Sequence, residues 1–196
     1  LIDREAIRRV VEGAAQSLVI VDEAYIDFAD AVSWTTELDR YPNLVVLQTF
    51  SKAWGLAALR LGMCFASEDL IRVMNKIKPP YNISAPTQQV ALEALNHETG
   101  KNEMVANILA ERTRLADDLG ELPIVRHIYP SDANFLLVKF ENSNAVFNYL
   151  IRRQVIVRDR SRVILCDGCL RITVGTAAEN QRLLAVLHQF IETVLA

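Results

Sequence analysis

Thr49-Phe50-Ser51-Lys52-Ala53-Trp54-Gly55-Leu56, with Arg60 and Gly62 close behind, gathers one lysine, two hydroxyls and one arginine between apolar runs. A lysine amine condenses with an aldehyde to a Schiff base, and hydroxyls and a guanidinium fork can hold a phosphate. This is equipment for anchoring a phosphorylated aldehyde. Upstream lies an acidic stretch, Val21-Asp22-Glu23-Ala24-Tyr25.

A carboxylate at position 22 facing a pyridine nitrogen would keep that nitrogen protonated, so that the ring draws electrons from a substrate carbon. Tyr25 would donate to the ring's phenolic oxygen, and Lys52, once freed, would shuttle a proton. The cofactor this set implies is pyridoxal phosphate. Each residue also has an ordinary reading: most lysines are solvated, Tyr25 could be a half-buried tyrosine, and Arg60 an exposed salt bridge. Asp22-Glu23 at a strand end further resembles the acidic motif of nucleotide hydrolases. The phosphate loop Gly-x-x-x-x-Gly-Lys-Ser/Thr that an ATPase fragment would need occurs nowhere in the chain, and Glu23 reads as structural.

Arg171 lies inside an apolar run, Leu170-Arg171-Ile172-Thr173-Val174, where an unpaired charge is costly, so a role towards an anionic substrate is favoured over solvation. Arg158 ends the preceding run, and the two could converge on one substrate or pair with Asp159 or Asp167. His97, His127 and His188 read as structural or surface groups. Cys166-Asp167-Gly168-Cys169 has C-x-x-C spacing, but a zinc site would need two further ligands, so no metal is expected.

These residues need a scaffold. With 51% hydrophobic and 23% charged residues over 196 positions, the composition is globular and allows one large or two small domains. A net charge of −3 disfavours nucleic acid and anionic membrane as partners. No apolar run approaches the ~18 residues that span a bilayer, and the charged start is no secretory signal, so a cytoplasmic location is expected.

Arg4 to Ala15 has the spacing of a surface helix. The unbroken runs Leu18 to Val21 and Leu44 to Leu47 predict strands covered on both faces of a mostly parallel sheet, with Leu61 to Ala66 as a third. Asp22 to Tyr25 and Thr49 to Lys52 leave the carboxyl ends of the first two strands, where ligands collect in such sheets. Ser67 opens a capped helix that stops near Pro79-Pro80. Pro86 to Leu119 reads as helix interrupted at Thr99-Gly100. Beyond it the pattern is α+β: strands at 135–138, 155–157 and 170–174, helices at 145–153 and 177–195. The fold class is therefore α/β followed by a small α+β domain, divided as 1–97 and 98–196.

The residues now resemble a known family, the fold-type I pyridoxal phosphate enzymes, and within them the histidinol-phosphate aminotransferases. The resemblance runs the whole chain. It rests on Val21-Asp22-Glu23-Ala24-Tyr25-Ile26-Asp27-Phe28, the segment Thr49 to Ala57 with Arg60-Leu61-Gly62, Pro80-Tyr81-Asn82, Ser131-Asp132-Ala133-Asn134-Phe135, and the segment Gly168 to Thr176. It implies that Lys52 carries the cofactor as a Schiff base, Asp22 binds the pyridine nitrogen, Tyr25 the phenolic oxygen, and Ser51 and Arg60, with Thr49, the phosphate. It implies Arg171 as the substrate's anion clamp and Arg158 as a contact to a phosphorylated keto substrate. The implied reaction passes an amino group between L-glutamate and imidazole-acetol phosphate in histidine biosynthesis, in a homodimer. The family carries roughly another domain ahead of the part matched here, so the chain reads as the carboxyl-terminal part of such an enzyme, a fragment inactive alone. A decarboxylase of a phosphorylated amino acid from the same superfamily uses the same anchor and is the nearest alternative.

Overall fold

The computed structural model describes residues 1–195; position 196, the last of the domain expected over 98–196, lies outside them. The chain divides into two compact units, Leu1–Glu103 and the part from Met104 onward, a division that falls inside a helix and past the boundary expected at 97/98. No helix among the described residues is long and apolar enough to cross a membrane.

In the first unit, Asp3 caps α1 (Arg4–Gly13) by accepting the Ala6 N–H, and Val11 on its apolar stripe is buried. β1 (Val19–Asp22) pairs in parallel with β2 (Leu44–Thr49), from Val19 opposite Leu44 to Asp22 opposite Leu47. The Asn43 amide reaches the carbonyls of Val11, Ala14 and Ser17 and so ties the end of α1 to the start of β2. Leu44, Val45 and Val46 are buried, as an unbroken apolar run predicts. β1 departs from that expectation, since Ile20 is 60% exposed. Val19 and Val21 pack on the cluster of Val11, Trp34, Tyr41, Leu44 and Val46, which covers one face of β1 and leaves Ile20 on the other.

β3 (Gly62–Ala66) runs antiparallel to β2, so the sheet, ordered β1-β2-β3, is mixed. A parallel return needs a crossover, usually a helix. Here residues 50–61 fold back instead, with the Phe50 N–H donating to the Leu61 carbonyl at the neck and one 3₁₀ turn at Ala57–Leu59. α2 (Glu68–Ile77) follows Ser67, whose hydroxyl bonds the Pro42 carbonyl and not the helix it precedes. α3 (Ala85–Leu95) is capped by the Ser84 hydroxyl. The helix break comes at Asn96-His97, and α4 (Glu98–Gly120) runs straight through Thr99-Gly100.

The second unit holds an antiparallel sheet in the order β4-β5-β7-β6: β4 (Val125–Tyr129), β5 (Phe135–Phe140), β6 (Arg158–Asp159) and β7 (Cys169–Thr173). Leu136, Val138 and Phe140 alternate inward from β5, and Leu170 and Ile172 from β7. They pack with Leu115 and Leu119 of α4, Val146 and Leu150 of α5 (Ser143–Arg152), and Leu183 and Leu187 of α6 (Ala177–Leu195). β4 has no counterpart in the sequence reading, because Arg126 and His127 interrupt its apolar pattern and its register shifts there. The strand expected at 155–157 is irregular. Gln154, at φ +59°, turns the chain out of α5, Val157 drops into the core, and pairing begins only at Arg158.

Candidate active site

β1 and β2 end side by side because they are parallel and in register, and that brings the acidic stretch and the lysine turn together. At the end of β1, Asp22 points outward. Its Oδ1 accepts the Ala24 N–H at 3.0 Å, while Oδ2 has no partner among the described residues. Glu23 turns inward and is 6% exposed, with its Oε1 accepting the Trp34 N–H at 2.7 Å and its Oε2 accepting the Ser33 hydroxyl at 2.6 Å and the Gln48 amide at 3.0 Å. Every one of those bonds is internal, so Glu23 is a structural carboxylate that fixes the loop from β1 to Trp34 against β2. The acidic pair therefore does not present two free carboxylates to a metal.

Tyr25 leads a 3₁₀ turn over Ile26–Phe28, and the Lys52 Nζ lies 5.0 Å from the centre of its ring. Lys52 is half-buried. Its turn is built by Gly55, at φ +68°, whose N–H donates to the Lys52 carbonyl at 2.9 Å; an L side chain there would be strained. Phe50 and Ala53 are buried beneath it, and the Phe50 and Trp54 rings pack at 5.6 Å.

The other expected cofactor residues lie in the same turn. The Thr49 hydroxyl accepts the Ser51 N–H at 3.0 Å and donates to the Leu61 carbonyl at 3.3 Å, so it shapes the neck of the turn. Arg60 takes the left-handed conformation, at φ +52°, and is exposed, with Nη1 donating to the Ala57 carbonyl. An arginine in this conformation costs more than glycine would.

Lys101 and Asp27 escaped the sequence reading. They form an ion pair of 2.9 Å, with side chains 12% and 24% exposed, and the same ammonium stands 5.2 Å from the centre of the Trp54 ring. The available signal was a lysine in the first turn of a helix, where the helix dipole disfavours a cation.

In the second unit, Arg158 and Arg171 are direct partners across β6 and β7. Opposed residues of an antiparallel pair share a face, with Cβ atoms about 4.5–5.5 Å apart, and like charges placed so repel. Among the described residues neither forms an ion pair: Asp159 faces Ser161, whose hydroxyl first and backbone N–H next hold its carboxyl below the usual carboxylate range. The Arg171 guanidinium lies 4.9 Å from the centre of the Phe135 ring, and its buried Nε has no acceptor. Arg8 also has a bare Nε, but its guanidinium pairs with Glu5 and Glu37. Two opposed cations and an unsatisfied buried donor fit an anionic ligand.

Cys169 is fully buried and burial pushes its thiol upward, whereas Cys166 is half-buried. No group of three or more possible metal ligands occurs among the described residues.

The family model for aminotransferase class I and II matches residues 1–187. A histidinol-phosphate aminotransferase of Cytophaga hutchinsonii is 54% identical over 190 residues, covering 97% of this chain and 54% of that protein. The crystal structure of the histidinol-phosphate aminotransferase from Clostridium acetobutylicum superposes with a TM-score of 0.91 at 21% identity, over 98% of this chain and 60% of that one. That of the Sinorhizobium meliloti histidinol-phosphate aminotransferase in complex with pyridoxal-5'-phosphate gives 0.81 at 28% identity, over 96% of this chain and 53% of the other. The chain spans about half the length of the curated relatives it matches.

Proposed function

The chain belongs to the class I and II aminotransferase family, and from that premise we propose that it serves as part of a histidinol-phosphate aminotransferase. Such an enzyme passes an amino group from L-glutamate to imidazole-acetol phosphate, giving L-histidinol phosphate and 2-oxoglutarate. The observation that carries this reading is the amine of Lys52 held 5.0 Å from the Tyr25 ring centre, in a turn beside the strand end that bears Asp22.

The residues present fit pyridoxal phosphate: a half-buried amine, a carboxylate with one oxygen to spare, a phenol, a serine hydroxyl and an exposed guanidinium. When bound, that cofactor supplies an aldehyde that condenses with amines and a ring that takes up electron density from the substrate carbon. Lys52 Nζ would be the amine that holds the cofactor and would serve to carry the proton. Asp22 would face the ring nitrogen and keep it protonated, and Tyr25 would donate to the ring oxygen. Ser51 and Arg60 take the phosphate, with Thr49 shaping their turn and available as a further contact. Arg158 and Arg171 take the anionic groups of the small-molecule substrates, a role supported by their opposed charges and the bare Nε.

The same reading assigns 1–97 to the large cofactor-binding domain and 98–196 to the small one, and places the enzyme in the cytoplasm as a homodimer. Assembly is supported by the exposed apolar side chains of Val73, Ile77, Tyr81, Ile83, Leu92 and Leu95 in and around α2 and α3. The internal use of Glu23 weakens the ATPase alternative.

Borohydride reduction in the presence of pyridoxal phosphate, followed by peptide mapping of the whole gene product, tests the assignment. Pyridoxyl on Lys52, lost in Lys52→Arg, is expected, with 2-oxoglutarate formed from glutamate. Label on another lysine, or release of CO₂ in place of 2-oxoglutarate, overturns the anchor or the reaction respectively.

A further inference from the structure

Lys101 stands at the wrong end of its helix. It lies in the first turn of α4, where the helix dipole repels a cation, and its side chain is only 12% exposed. Two contacts offset this. Its Nζ is 2.9 Å from Asp27 Oδ1, across 74 positions of chain, and 5.2 Å from the centre of the Trp54 ring. Asp27 follows Tyr25 by two positions in the 3₁₀ turn Ile26–Phe28, and Trp54 follows Lys52 by two in the lysine turn. Trp54 is itself packed against the buried Phe50.

Besides the Lys52–Tyr25 contact itself, the other ties described for these loops act elsewhere. Glu23 fixes the far side of the first loop through Ser33, Trp34 and Gln48, and Gly55 closes the lysine turn on itself. The Lys101 ammonium is a single group that grips both loops at once, each at the same short distance from the residue that matters chemically.

We propose that Lys101 is a positioning residue: by bonding Asp27 and lying against Trp54 it sets the spacing of Tyr25 and Lys52. This rests on the reading of Lys52 as the cofactor-binding amine, but its consequence, a change in the freedom of the Lys52 amine, is measurable without cofactor.

The test is competitive acetylation of the cofactor-free whole gene product with acetic anhydride, with the yield at Lys52 quantified against the lysines at 76, 78 and 139. In Lys101→Met the relative labelling of Lys52 is expected to rise about fivefold, the equivalent of one cation–π contact of ordinary strength. Lys101→Arg, which keeps the cation, is expected to restore it. If Lys101→Met fails to fold because Asp27 is left unpaired, Lys101→Met with Asp27→Asn removes both charges and is expected to show the same rise.

Unchanged labelling of Lys52 in whichever variant is folded by near-ultraviolet circular dichroism overturns the proposal. So does a rise in Lys101→Met that Lys101→Arg does not reverse. Titration with pyridoxal phosphate separates the two readings. Wild-type protein that binds none at Lys52 refutes the cofactor assignment while the acetylation result still decides the role of Lys101. Where it binds, affinity is expected to fall about fivefold in Lys101→Met.

Discussion

The two units hold themselves together differently. The second is built around seventeen buried side chains in one cluster among the described residues, drawn from both faces of its helix–sheet contact. The first has a corresponding cluster of five, and elsewhere in that unit Leu18, Ile20, Ile77 and Leu92 are each more than half exposed. What replaces apolar mass in the first unit is a set of polar ties: Asn43 to the end of α1, Glu23 to three donors, Lys101 to Asp27. A core fixes a fold without aiming any particular atom, whereas directional bonds fix atoms. The residues assigned to covalent chemistry lie among the directional bonds.

Truncating a core leucine is the harshest way to probe this contrast. Leu150 is fully buried, and Leu150→Ala is expected to cost about 2–5 kcal/mol. Ile20→Ala, at an exposed position of β1, is expected to change stability by no more than about 0.5 kcal/mol. Urea midpoints measure both. Hydrogen exchange should show the leucine variant opening the second unit while Val45 and Val46 of β2 keep their protection. Equal losses from the two substitutions would mean that the first unit has an apolar core as demanding as the second.

Glu23→Gln sharpens the other half of the contrast. The carboxylate accepts from Trp34 on one oxygen and from Ser33 and Gln48 on the other. An amide has an acceptor on one side only, so either Trp34 loses its acceptor or Ser33 and Gln48 must reverse their hydroxyl and amide in a site that is 6% exposed. The expected cost is about 1–3 kcal/mol. It should be accompanied by loosening of the 24–34 loop, read as faster amide exchange at Tyr25 and Trp34. A Glu23→Gln protein as stable as wild type would show that the bonds are dispensable and that the loop is held by Phe28 and Trp34 alone.

The parts of this arrangement that follow from short-range pattern were legible in the sequence. β2, β5 and β7 are apolar runs, α1 and α6 keep a helical period, and Asp22 and Lys52 could be placed together because ends of adjacent parallel strands meet. The antiparallel return of β3 was not legible, since its direction depends on how residues 50–61 hydrogen-bond to one another and not on the residues of the strand. β4 was hidden by Arg126 and His127, and β6 is too short to have a period. That Arg158 and Arg171 would be direct partners depends on register, which a count of intervening residues leaves open. The Lys101 contact joins groups far apart in sequence, and no periodicity encodes it.

The smallest effect expected tests whether polar ties matter in the apolar unit as well. Thr176 and Glu179 form a reciprocal cap on α6: the Thr176 N–H donates to Glu179 Oε2 at 2.8 Å, and the Glu179 N–H to the Thr176 hydroxyl at 3.3 Å. The bond from the Thr176 backbone N–H, and next the one from its hydroxyl, hold the Glu179 carboxyl below its ordinary range. A carboxyl lowered on folding contributes stability that is present above the unfolded value, about 4.3 for glutamate, and is lost as pH falls through the folded value. Glu179→Gln keeps an acceptor but cannot titrate. Wild type is therefore expected to melt higher than the variant at pH 7, and the two curves of melting temperature against pH to converge below about pH 4. A gap that persists at the acid end would assign the cap's contribution to shape alone, and the charge on α6 would then be incidental to the unit whose core already fixes it.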